Sequence, residues 1–127
     1  MSAMQDIEIY LRQADPDAVQ RWLSKRFDGV SLQSLPNDGG LRGELSLNGS
    51  RIPVSLFFRS AGKQFSTLWF NSPNVPWADD LACAREAHAE LGIEVRCMAE
   101  GWSEGMEEDE GLWWVIRDGE ERQLRWR

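Results

Sequence analysis

The sequence predicts an α+β fold: a mostly antiparallel sheet with two helices on one face. Three observations predict it. Short runs alternate apolar and polar residues, as half-buried strands do. Two segments carry helix-start chemistry followed by apolar residues at helical spacing. Asn48-Gly49 and Asp118-Gly119 lie between strand-like runs, where a tight antiparallel hairpin needs residues that tolerate positive φ.

The first strand is Ile7-Glu8-Ile9-Tyr10-Leu11-Arg12, by strict alternation. In Asp15-Pro16-Asp17, Asp15 is placed to cap a helix and Pro16 to open it, because proline loses nothing where no backbone N–H bond is due. Val19, Trp22, Leu23 and Phe27 follow at helical spacing, and Gly29 is expected to stop the helix in the left-handed conformation. Strands are expected at 30–35, 41–47 and 52–59, the first two joined by the turn-rich Pro36-Asn37-Asp38-Gly39-Gly40. Around Ala61-Gly62-Lys63 the chain turns again, into a strand over 65–70. A second helix is expected from about Trp77 to Leu91, stopped by Gly92, then strands at 93–99, 112–117 and 121–126.

The order strand, helix, strand, strand, strand thus occurs twice. One domain spanning 1–127 is expected, with pseudo-repeats 6–60 and 65–127 of a βαβββ unit. A chain of 127 residues supports one core.

Composition narrows the function classes. The chain is 42% apolar and 28% charged, as ordinary globular domains are. Its net charge of −7 opposes binding to nucleic acid or an anionic membrane surface. No apolar run approaches the ~20 residues that span a bilayer, and the first residues lack the charge-then-apolar pattern of an export signal. Two cysteines suit a reducing compartment better than a disulfide scaffold, so a cytoplasmic location is expected.

Catalytic and metal chemistry find little to stand on. Cys83 and His88, five positions apart on one helix, point ~140° apart around its axis and form no nucleophile–base pair. His88 falls on the stripe of Trp77, Leu81, Ala84 and Leu91, whereas Cys83 falls nearer the polar Asp79, Glu86 and Glu90. That separation also argues against a disulfide to the inward-facing Cys97. One histidine and two distant cysteines match no zinc spacing, and no glycine-rich loop leads from a strand into a helix. No catalytic residue, metal or cofactor is expected.

Strand alternation assigns faces. Ile7, Ile9, Leu11, Val30, Leu32, Leu45, Leu47, Val54, Leu56, Phe58, Ile93, Val95 and Cys97 turn toward the helices. Their alternates interleave arginines with aromatics: Tyr10, Arg12, Arg42, Phe57, Arg59, Arg96, Trp113 and Arg117, with Gln33, Glu44, Met98, Val115 and Arg125 among them. Arginine and aromatic residues are enriched at binding hot spots because they combine area with directional donors. The bland alternative is a solvated face whose long side chains lie over rings and pair with Glu8, Glu44 and Glu94. Seven tryptophans are a heavy load for this length, and adjacent Trp113 and Trp114 force one indole onto the side away from the helices. The alternation leaves the sides of Trp69, Phe70, Trp113 and Trp114 open.

Residues 100–111 carry six carboxylates, including Glu107, Glu108, Asp109 and Glu110, around Trp102 and Met106. Such a run favours an extended, solvated loop, and its spacing is not that of a calcium loop. Trp102 either anchors the loop or forms an adhesive spot framed by charge.

The leading expectation is a small acidic protein-interaction or regulatory module without catalytic activity. It would use the Arg/aromatic face, the acidic loop or both to bind a protein partner, a basic one by charge, as toxin-neutralising proteins do. The alternative is a small anionic-ligand binder, or an enzyme, with a pocket on that face. Homodimerisation through the face or an edge strand fits either.

Overall fold

The computed structural model of the chain describes residues 6–99 and 112–125. Along the chain run β1 (Ile7–Arg12), α1 (Pro16–Arg26), β2 (Gly29–Ser34), a single 3₁₀ turn (Pro36–Asp38), β3 (Gly40–Leu47), β4 (Ser50–Phe57), β5 (Phe65–Phe70), α2 (Asp80–Leu91), β6 (Val95–Met98), β7 (Leu112–Arg117) and β8 (Glu120–Arg125).

Local chemistry explains most boundaries. Asp15 caps α1 by accepting the Asp17 N–H at 3.0 Å, and Pro16 opens the helix. Asn48, Gly49, Asp118 and Gly119 all take positive φ, closing the β3–β4 and β7–β8 hairpins. Gly92 ends α2 at φ 68°. Gly29 does not end α1, contrary to the sequence expectation. The helix stops at Phe27, whose backbone is extended, while its ring stacks near Phe70 and Trp77. Burying that ring requires leaving the helix early, and Gly29 becomes the first residue of β2. The second helix begins at Asp80 instead of Trp77, because Asp79 caps it by accepting the Ala82 N–H at 2.8 Å.

The eight strands form one sheet in the order β2-β3-β4-β5-β1-β6-β7-β8, with every neighbouring pair antiparallel. The element order strand-helix-strand-strand-strand does occur twice along the chain. The sheet uses the two series differently. The meander β2-β3-β4 runs from one edge inward, and β6-β7-β8 runs from the centre outward.

Both helices lie on one face. Val19 and Leu23 of α1 close over Leu32, Leu41, Val54, Leu56 and Leu68, while α2 packs on β1, β6 and β7. One hydrophobic cluster joins Ile7, Ile9 and Leu11 to both helices and to Ile52, Phe70, Val95 and Ile116. Cys83 lies in this cluster with Cys97, both wholly buried and both free thiols, which corrects its expected polar-side position. With α2 starting at Asp80, its inner side is the small-residue stripe of Cys83, Ala84 and Ala87. Trp77 precedes the helix and is no guide to its faces.

Glu86 joins the helices. Its carboxylate accepts the Trp22 indole N–H at 2.8 Å, the Trp77 indole N–H at 3.0 Å and the Arg26 Nε–H at 3.1 Å. Burial alone would raise this carboxyl, but the two indole donors and Arg26 outweigh it and hold it below its ordinary range.

Candidate interaction face of the sheet

The register settles which residues share the face away from the helices. Glu8, Trp69, Ser55, Arg42 and Gln33 form one cross-strand row; Tyr10, Thr67 and Phe57 form another. Toward the other edge, Tyr10 continues through Arg96 and Val115 to Arg122, and Met98, Trp113 and Leu124 form a parallel row. The face therefore brings together Tyr10, Arg12, Arg42, Phe57, Arg96 and Arg117 as alternation predicts, and the register adds Trp113, whose side alternation leaves open. Trp69 joins them, and Phe70 and Trp114 turn to the helices. Two arginines depart from the expected set. Arg125 pairs with Leu112, in phase with Trp114 and Ile116, and so belongs to the helix side. Arg59 lies beyond the end of β4 with positive φ, exposed, outside the strand alternation. Trp102, Glu107, Glu108, Asp109 and Glu110 lie outside the described residues.

Long side chains lie flat over this face. The Tyr10 and Trp113 rings meet edge to face at 5.2 Å, Arg96 sits 4.6 Å over the Phe65 ring, and Arg42 sits 5.8 Å over Phe57. The Trp69 indole N–H donates to Asp6 at 2.6 Å, and Arg12 donates to Gln64 at 3.1 Å. Beneath them Ser55, Thr67, Phe65 and Val115 are buried, with no helix on this side among the described residues. Met98, at 40% exposure, is the large apolar side chain most open to solvent among the described residues.

A hollow of about 350 Å³ opens over β6, β7 and β8, lined in part by Arg96, Arg117, Arg122 and Leu124. Each guanidinium there already meets a carboxylate: Arg96 with Glu94 at 2.8 Å, Arg117 with Asp118 at 3.5 Å and Arg122 with Glu120 at 3.3 Å. A small anion would have to displace these partners, which weakens the hollow as an anion site.

A polar group that sequence reasoning missed sits where β1 and β6 part. Their pairing covers only Tyr10 and Leu11, and the Glu8 N–H donates instead to Asp80 Oδ1 at 3.3 Å. The Tyr10 hydroxyl donates to Glu8. Burial first, then the Glu8 hydrogen bond, raise the Tyr10 phenol. Burial, together with the charges of Asp6, Glu8 and Asp79, pushes Asp80 up to about 6 against the Glu8 N–H that lowers it. An acid raised on folding stabilises the fold below its unfolded value of 3.8, and that contribution is lost as pH rises through about 6. Asp80→Asn keeps an acceptor for the Glu8 N–H and removes the charge. It is expected to raise unfolding free energy by about 1 kcal/mol at pH 8, discounted for the half-exposed carboxyl, and by nothing at pH 4. Urea unfolding at the two pH values measures the difference.

The residues considered for catalysis are either engaged or buried. Both ring nitrogens of His88 are in use: Nε2 accepts the Gly119 N–H at 3.1 Å, which leaves Nδ1–H to donate to the Ile93 carbonyl at 2.8 Å. The ring thus ties α2 to the β7–β8 turn. Burial raises the Cys83 thiol well above its ordinary value and pushes Cys97 up to about 12, so neither favours the thiolate. No helix among the described residues is long and apolar enough to cross a membrane.

Comparison with known proteins finds no match: no family model, no curated protein and no solved structure matches the chain.

Proposed function

We propose that the chain is a non-catalytic protein-interaction module that offers the helix-free face of its sheet to a basic protein partner. One observation carries this reading. Both helices occupy the same side of an eight-stranded sheet, and the other side presents Tyr10, Phe57, Trp69, Met98 and Trp113 among arginines. Partly exposed rings and guanidinium groups on a rigid sheet supply hot-spot chemistry at low ordering cost. A basic partner follows from the net charge of −7 and from the carboxylates of 100–111, which would steer such a partner at low salt. The engaged ring of His88 and the burial of the Cys83 and Cys97 thiols favour binding over chemistry. Anionic-ligand binding retains the hollow in its favour, at the cost of breaking three ion pairs.

Affinity capture from native lysate tests the proposal with wild type beside two variants. One carries Met98→Lys and Glu44→Lys, both at exposed positions of the open face, where added positive charge repels a basic partner; the other has the acidic residues within 104–110 neutralised. A partner held by wild type should be lost by the face variant, and held more weakly by the loop variant and at high salt. Equal capture by wild type and the face variant would remove the face from the interaction.

A further inference from the structure

The two edges of the sheet are built differently. At one end β8 reads Glu-Glu-Arg-Gln-Leu-Arg, and a strand so charged resists pairing with another sheet. At the other end β2 reads Gly-Val-Ser-Leu-Gln-Ser, with no charge and no proline. We propose that β2 is a self-association edge, pairing antiparallel with β2 of a second copy of this chain about a twofold axis at Leu32.

The hydrogen-bond phase of β2 makes the edge available. Leu35 donates its N–H to the Gly40 carbonyl at 2.8 Å, and bonded pairs alternate along an antiparallel ladder. The inward-directed groups are therefore those of Gln33 and Ser31, opposite Arg42 and Glu44. Val30, Leu32 and Ser34 aim their N–H and carbonyl groups away from β3. A twofold axis at Leu32 sets Leu32 against its own copy and Val30 against Ser34, so all three residues bond across the junction. Sliding the copies by two residues either way leaves one of the three without a partner.

Side chains choose the same register. Val30 and Leu32 are half-buried beside α1 and pack against the core, so a second Leu32 completes their cover. On the other face, Ser31 of one copy falls opposite Gln33 of the next. Each joined row then reads Arg42, Gln33, Ser31, Glu44, with opposite charges at its ends. The slipped alternatives place Ser31 on Ser31 or Gln33 on Gln33, and their rows end in two glutamates or two arginines. Charge complementarity and hydrogen-bond count favour one alignment.

Sedimentation equilibrium of three proteins tests this. Ser31 and Gln33 are exposed in the single chain, so S31K/Q33K should leave the fold intact while setting like charges directly opposite each other twice across the junction. The expected result is a wild-type dimer whose dissociation constant rises about tenfold or more in S31K/Q33K. In S31E/Q33K opposite charges face each other, and the dimer should return. Amide exchange at Val30, Leu32 and Ser34 of wild type should slow with rising protein concentration, a readout that needs no variant. A wild-type chain that stays monomeric at every concentration overturns the proposal, as does a dimer indifferent to S31K/Q33K.

Discussion

Replacing Glu86 by alanine should lower the unfolding free energy by about 3 kcal/mol and the melting temperature by about 10 °C. The side chain is only 28% exposed and accepts from both Trp22 and Trp77 as well as from Arg26. Alanine strands two indole N–H groups in a ring cluster where Trp22 and Trp77 stand 5.7 Å apart and Trp77 stands 5.0 Å from Phe70. Buried donors without acceptors carry their full desolvation cost. Glu86→Gln should cost less, because one carbonyl oxygen still accepts one indole while its amide nitrogen opposes the others. The pH dependence separates charge from shape. A carboxyl held below its ordinary 4.5 stabilises the fold above that value, and the contribution is lost as pH falls through the lowered folded value. Wild type should lose stability there and Glu86→Gln should not gain the same slope. Urea unfolding followed by tryptophan fluorescence reads both effects.

The second large effect is expected at Gly43. A Cβ on this residue would sit 1.8 Å from the Ser31 carbonyl oxygen, inside the β2–β3 ladder. Neither strand can yield without giving up backbone bonds, so Gly43→Ala should destabilise the fold by about 2–3 kcal/mol. It should also raise amide exchange along β2 before the rest of the sheet. An alanine at Gly49 is the useful contrast. Its Cβ meets nothing within 4 Å, and only its positive φ of 84° opposes the change. A Gly43→Ala protein no less stable than Gly49→Ala would contradict the packing described for β3.

The parts of the fold that were legible in the sequence are those fixed within a few residues. The Asn48-Gly49 and Asp118-Gly119 hairpins needed only left-handed backbone at two adjacent positions. The Asp15-Pro16 cap needed one carboxylate and one missing donor. Misreadings arose where tertiary packing overrode a local signal. Phe27 leaves α1 to reach Phe70, which turned Gly29 from a helix stop into a strand residue. Counting α2 from Trp77 rotated its faces and put Cys83 outside. Alternation within β8 alone does not fix the side of Arg125, because its pairing with Leu112 sets the register and a single strand carries no record of that. The Arg/aromatic composition of the open face was visible because alternation is a property of each strand alone. Its rows were not, since they depend on the sheet order. The Asp80–Glu8 contact was equally hidden, because it fills a gap that exists only where β1 and β6 diverge.

That sheet order also bears on how the chain assembles during synthesis. β1 emerges before the other strands of this sheet, yet its neighbours are β5 and β6, and neither exists until Phe65–Phe70 has been made. The β2-β3-β4 meander can close early from contacts near in sequence, while the middle of the sheet must wait for distant ones. A nascent chain halted before Phe65 would hold a finished hairpin pair beside an orphan strand that carries Ile7, Ile9 and Leu11, apolar side chains that only the completed sheet buries.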